Sequence, residues 1–296
     1  MITLGTRFSY EDILTHMMQM AEVYSDFVIC RMIGQSHDAR PIPMLRIGLG
    51  EKVLFCTAGI HGRETINPIL LLKMIEEYCT YYEKQEKMED RYPIRSMLDQ
   101  YSICFIPLVN PDGYEIALNG FSAIQNPILR QEIRMKQMDA HYWKYNARGI
   151  DINRNFPCAS YVRQQPWEYP ASENETQALI QIFQSYDSIG YLDFHSRGKV
   201  IYYYRKAMPV RYNLHSHRLA RSFQKVSHYH LGKKEEEMIT NFSGGNSVQY
   251  YSEYLKLPAI TIETVEDEAT FPLNTAYQKE TYEEIRMIPL KMLEMK

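Results

Sequence analysis

No stretch of this chain approaches the roughly 18 consecutive apolar residues of a membrane-spanning helix. No two cysteines have the C-x-x-C spacing of a structural zinc site or a redox motif; Cys30, Cys56, Cys79, Cys104 and Cys158 stand far apart. Their scatter and odd number fit free thiols in a reducing compartment. A large excess of either charge is missing as well. The 33 basic and 36 acidic residues leave a net charge of −3, which argues against a general affinity for nucleic acid. The opening MITLGTRFSYEDILTHMMQM lacks a basic region followed by a continuous apolar run, so a cytoplasmic protein without a signal peptide is expected. There is no internal repeat, low-complexity tract or Pro/Gly/Ser-rich linker, and residues 1–296 are expected to form a single domain. With 45% apolar and 23% charged residues, the chain can build a full core. The 24 tyrosines read as core and sheet packing, or as a hydroxyl-rich cleft.

Seven apolar runs read as strands: FVICRMIG, PMLRIGL, KVLFCTA, YSICFIPLV, SIGYLDF, KVIYYYR and PAITIET. Helical patterns lie between them: YEDILTHMMQMAEVY, INPILLLKMIEEYCTYY, NETQALIQIFQSY, NSVQYYSEYLK and YQKETYEEIRMIPLKML. Such alternation predicts an α/β fold with helices on both faces of the sheet. Ser172 and Glu175 have capping-box spacing at the start of one helix. The charge runs EKQEKMEDR and GKKEEE read as solvated loops or helix ends. The pattern is weakest from Gly120 to Arg154, where long connections near a site are expected.

Chemistry gathers at strand ends. His61 and Glu64 follow KVLFCTA through a glycine turn, His195 ends SIGYLDF, and Glu263 ends PAITIET. In open α/β sheets, ligands sit beyond the C-terminal strand ends where strand order reverses. Two imidazoles and one carboxylate leave a fourth zinc position open for water, the catalytic pattern. His215 and His217, like His228 and His230, form H-x-H pairs. On a helix such residues point about 200° apart and cannot easily share a metal; surface or packing roles are expected.

With IHGRE, VNPDGYE, KYNARGIDINRNFP, ASENETQAL, DFHSRG, FSGGNS and TIET in this order, the chain resembles the zinc carboxypeptidases of the carboxypeptidase A type. The resemblance implies a carboxypeptidase-like fold: one α/β domain whose mixed, twisted sheet has about eight strands. It implies one Zn²⁺ per chain, held by His61, Glu64 and His195, and Glu263 as the general base. Asp151 would orient a ligating imidazole. Asn153 and Arg154 would bind the terminal carboxylate of a peptide substrate, Arg154 by its planar fork. Lys144 falls where the family has an oxyanion-stabilising arginine and keeps the charge but not the fork. Arg63 would line the adjoining subsite, with a helix-start surface charge as the alternative. No nucleic-acid or membrane partner is expected, and oligomeric state is left open.

Two positions depart from the pancreatic-type pattern. Thr240 stands where a Tyr closes over substrate, and Ser247 aligns with the residue at the base of the specificity pocket. A small polar group there leaves room for a polar side chain. The resemblance leads to the expectation that the chain begins directly at the catalytic domain, without the family's prosegment of secreted zymogens. These features look like the family's bacterial branch, several members of which cleave the γ-D-glutamyl bond to a diamino acid in cell-wall peptides. The expected substrate is therefore a peptidoglycan-derived peptide. Two alternatives are an N-acyl amino acid deacylase of the aspartoacylase or succinylglutamate desuccinylase type, and an inactive peptide-binding module.

Overall fold

The computed structural model describes residues 1–237 and 243–296. Helix α1 (Tyr10–Val23) starts from a capping box, in which the Ser9 side chain accepts from the Asp12 amide and the Asp12 side chain accepts from the Ser9 amide. Its residues Ile13, Met17 and Met20 share one buried stripe. A hairpin, β1 (Val28–Gln35) and β2 (Pro41–Ile47), leads into β3 (Lys52–Ala58) and α2 (Asn67–Lys84). A two-stranded ribbon of β4 (Lys87–Met88) and β5 (Tyr92–Pro93) precedes α3 (Ile94–Gln100) and β6 (Tyr101–Ile106). Helices α4 (Pro111–Asn119) and α5 (Pro127–Arg134) and several short turns then cross the region of weakest sequence pattern. The second half carries α6 (Asn174–Ser185), β7 (Ser188–Ser196), β8 (Val200–Tyr202), α7 (Val210–Ser227) and β9 (His230–Leu231). It closes with α8 (Ser247–Leu255), β10 (Ala259–Thr264), α9 (Tyr277–Ile285) and α10 (Ile288–Glu294).

The main sheet is eight-stranded and mixed, in the order β1-β2-β6-β3-β7-β10-β8-β9. Its centre, β6-β3-β7-β10, is parallel, and all nine residues of β7 are buried. Parallel strands buried on both faces read as continuous apolar runs, which is why the central strands were legible. Alternation along β3 sends Leu54 and Cys56 into the core on one face, while Val53 and Phe55 join the core on the other. The first core packs α1, α2, α9 and α10; the second packs α6 and α8. The chain passes from β6 across β3 to β7, so strand order reverses at β3, and β3, β7 and β10 end side by side.

Several local expectations are corrected. The C-terminal helical pattern is two helices, since Pro289 cannot continue the first and sits instead in the opening turn of α10. Glu173, not Ser172, is the N-cap of α6; the Ser172 hydroxyl donates to the Glu173 carboxylate and so does not cap the helix. The unread α7 carries mostly polar and basic residues, which hid its buried Asn213, Ser216, Leu219, Ala220 and Phe223. His215 and His217 lie on it, and His217 packs against the Tyr203 ring. The five cysteines are free thiols. Among the described residues, no helix is long and apolar enough to cross a membrane.

Phe183 of α6 is fully buried, with ring centroids of Phe55, Tyr191 and Tyr251 at 5.2, 4.9 and 5.1 Å. Phe183→Ala is expected to cost about 3–5 kcal/mol of stability in urea unfolding, because rigid neighbours from three elements cannot collapse into the space.

Candidate metal centre

The turn after β3 is shaped by close backbone approaches. Gly59 has φ +63°, and a Cβ on Gly62 would lie 2.2 Å from the Gly113 carbonyl, so neither position admits a side chain without strain. The Asn110 side chain donates to the Ile60 carbonyl at 3.0 Å and ties this turn to the start of α4. The turn thus presents His61 and Glu64 above the end of β3. His195 reaches the same place from the end of β7, the neighbouring strand.

Glu64 sits between the two imidazoles. His61 Nδ1 is 2.7 Å from Glu64 Oε1, and His195 Nδ1 is 3.0 Å from Glu64 Oε2, which also accepts from the Ser196 amide at 3.1 Å. The rings lie 4.9 Å apart, and Glu64 and His195 are 2% and 1% exposed. Burial alone would raise Glu64, but the facing imidazoles outweigh it and hold the carboxyl at about 2. Burial opposes charge on both histidines, yet Asp193 and Glu64 hold His195 well above its usual range, and Glu64 and Asp151 raise His61. The cluster therefore calls for positive charge at the point where both Nδ1 atoms meet the carboxylate. Donor type and convergence fit a divalent zinc ion.

The far side of each ring is also engaged. His195 Nε2 is 2.9 Å from Asp193 Oδ2, so its Nε2–H donates there and Nδ1 is left to face Glu64. Asp193 is held in turn by Ser247 Oγ at 2.6 Å and Thr57 Oγ1 at 2.7 Å. Asp151 approaches His61 Nε2 at 3.3 Å, an ion-pair distance without hydrogen-bond alignment. Burial notwithstanding, His61, Lys144 and Arg154 hold the Asp151 carboxyl well below its usual range. Sequence motifs indicated Asp151; the larger network behind His195 was missed. Its signal was period-two alternation, which places Asp193 on the same face of β7 as His195.

Glu263 pairs in register with His195 across β10 and β7, so the two side chains share a face. Protein surrounds its carboxyl, although its tip opens on the cleft. Burial, with Glu64 adding to it and His195 opposing, raises it to about 7. His61, His195, Glu263, Asn153 and Arg154 all line one cleft of about 210 Å³. The rest of its wall is polar and includes Tyr202, Glu236, Asn246, Gln249 and Thr261. Thr261 was findable from the same alternation, two residues before Glu263. Glu236 was concealed in a charge run read as merely solvated.

Other expected residues lie differently. Ser247 is not at the base of this cleft: it is fully buried at the start of α8, its hydroxyl turned down onto Asp193 and its amide donating to Asn153 Oδ1 at 3.0 Å. Lys144 Nζ donates to Asp151 Oδ2 at 2.7 Å, on the carboxylate that faces His61. Arg63 stacks its guanidinium over the Phe271 ring at 4.4 Å, outside the cleft wall. Thr240 lies outside the described residues.

A family model described as zinc carboxypeptidase matches residues 13–287. The chain is 31% identical over 198 residues to the Bacillus subtilis (strain 168) protein YqgT, a match covering 62% of this chain and 52% of that protein. It is 26% identical over 185 residues to gamma-D-glutamyl-L-diamino acid endopeptidase 1 of Lysinibacillus sphaericus, covering 58% of this chain and 46% of the relative. The chain spans about half the length of these curated relatives. Bovine thrombin-activatable fibrinolysis inhibitor, solved with a tick carboxypeptidase inhibitor, superposes with a TM-score of 0.77 at 20% identity, covering 98% of this chain and 97% of that one. At that identity the likeness is one of fold.

Asp193→Asn keeps shape but removes the charge that faces His195 Nε2. It is expected to weaken Zn²⁺ binding by about 10–100-fold, measured by competition with a chromophoric chelator. Unchanged affinity would show that Asp193 does not tune this imidazole.

Proposed function

The chain belongs to the zinc carboxypeptidase family, and on that premise we propose that it hydrolyses peptides next to a free C-terminal carboxylate. The observation that carries this reading is the convergence of His61 Nδ1, His195 Nδ1 and Glu64 on one point, beside Glu263 on the adjoining strand. Zn²⁺ held there supplies Lewis acidity toward the scissile carbonyl and the attacking water.

The chain's own residues do the rest. Glu263, raised to about 7, is basic enough near neutrality to take the proton of the attacking water and pass it to the leaving nitrogen. Arg154 and Asn153, on the cleft wall, hold the substrate's terminal carboxylate, which sets the scissile bond one residue from the chain end. Asp151 and Asp193 fix the two imidazole rings from behind. Lys144 stabilises the oxyanion only by exchanging Asp151 for it; otherwise its charge acts through Asp151 on His61.

For the substrate we infer a peptidoglycan-derived peptide cut at a γ-D-glutamyl bond to a diamino acid. The support is the polar cleft together with the relative from Lysinibacillus sphaericus that is named for this activity. Side-chain amine and carboxylate groups of a diamino acid find acceptors and donors in Glu236, Asn246, Gln249 and Thr261, a lining that suits a polar side chain better than an aromatic one.

Glu263→Gln is expected to keep stoichiometric zinc while kcat falls by about 10²–10⁴-fold or more; unchanged turnover would remove Glu263 from the mechanism. Amidating the substrate C-terminus is expected to abolish cleavage if Arg154 anchors a carboxylate. A panel of murein tripeptide, standard peptides and N-acyl amino acids separates the substrate readings, and cleavage of standard peptides alone would overturn the murein assignment.

The pH profile has a definite sign. Glu263 must be ionised to accept a proton, so kcat/KM is expected to fall on the acid side. A bound cation favours the carboxylate, which places that acid limb below the value of about 7 set by burial. In Glu263→Gln this limb should vanish from the residual rate.

A further inference from the structure

A second group of ligand-type side chains lies where the β1–β2 turn meets the start of α6. His37 Nε2 is 3.1 Å from Glu173 Oε2 and 3.9 Å from Glu175 Oε2, and the three donor atoms fall within 4.8 Å of one another. Both carboxylates are fully buried, and His37 is 16% exposed. Among the described residues this is the one other grouping besides His61–Glu64–His195 with such convergence.

Hydrogen bonding within the cluster accounts for Glu173 but not for Glu175. Glu173 accepts from Arg148 at 3.0 Å, from Ser172 Oγ at 2.7 Å and from Asn146 Nδ2 at 2.7 Å. Glu175 shares the Asn146 amide, at 3.2 Å on Oε2, and its carboxyl also meets its own backbone amide, while Oε1 is buried with no hydrogen-bonding side chain among the described residues. A buried carboxylate oxygen without a donor or cation costs several kcal/mol of desolvation. Arg148 faces Glu173 and not Glu175, so its charge is spent there. What the geometry offers is one imidazole nitrogen and two carboxylates whose donor atoms converge.

We propose that His37, Glu173 and Glu175 form a second, structural site for a divalent first-row cation. One imidazole and two carboxylates suit Zn²⁺ or Mn²⁺. Asn146, Arg148 and Ser172 hold the ligating carboxylates from outside, as the partners of metal-bound carboxylates do. The cation joins three segments: the β1–β2 turn, the first turn of α6, and the loop from Lys144 to Asp151. That loop is attached through Asn146, whose Oδ1 accepts from the amides of Arg148 and Ile150 at 3.0 and 3.1 Å. Because the loop also carries Lys144 and Asp151 to His61, the second ion steadies the support of the first centre.

The test counts metal. Metal-free protein dialysed against Zn²⁺ is expected to bind two equivalents per chain. Glu175→Gln and His37→Asn should each retain one, and His61→Ala should retain the other. In the His61→Ala protein, Zn²⁺ should still raise the melting temperature, and adding Glu175→Gln should remove that rise. His37→Asn, on a partly exposed turn, gives the answer if Glu175→Gln does not fold. A single equivalent that His61→Ala abolishes and Glu175→Gln or His37→Asn leaves intact overturns the second site and leaves the proposed function standing. A single equivalent with the opposite response supports the second site and overturns the first.

Discussion

One carboxylate between two imidazoles governs this molecule's chemistry. Glu64 touches His61 Nδ1 and His195 Nδ1 at 2.7 and 3.0 Å, itself buried together with His195 beneath the cleft. In such surroundings an unbalanced charge is expensive, so the cluster exists only with protons or a cation supplying the missing positive charge. Everything nearby is arranged around that requirement. The ends of β3 and β7 bring His61, Glu64 and His195 to one place, and β10 sets Glu263 alongside.

Rigidity around the centre comes from polar groups with nearly complete partners. Asp193 receives Thr57, Ser247 and His195; Ser247 in turn accepts from the Tyr191 hydroxyl at 3.1 Å. A satisfied buried network of this kind specifies one arrangement of side chains, whereas a half-satisfied one would cost more than an apolar core. Ser247 therefore acts through Asp193 on the orientation of His195. The cleft is faced instead by residues of β8, β10 and the start of α8: Tyr202, Thr261, Asn246 and Gln249.

The loop from Lys144 to Asp151 links the two polar clusters. At one end the Lys144–Asp151 pair faces His61; in the middle Asn146 bridges Glu173 and Glu175. Within the loop Ala147 and Ile150 are buried, Ala147 in one apolar cluster with Trp143 just before it. Hydrogen bonds and charge add to that anchoring and tie the placement of His61's outer partner to residues on the opposite side of the loop.

The sequence by itself determined what is local or periodic. Apolar runs marked the central strands, since strands buried on both faces carry no polar alternation. His61 and Glu64 were legible because a turn three residues long puts them together whatever the rest of the chain does. Strand-end positions for His195 and Glu263 followed from where apolar runs stop. Tertiary structure decided the rest. Whether Ser247 faced the cleft or the sheet depended on the entry angle of α8, and the partner of Lys144 depended on how a long loop folds back. Glu236 reached the cleft, and His37 met Glu173 and Glu175, through packing of segments remote in sequence. Side-chain direction across such distances is set by register and packing between elements, which one-dimensional spacing does not encode.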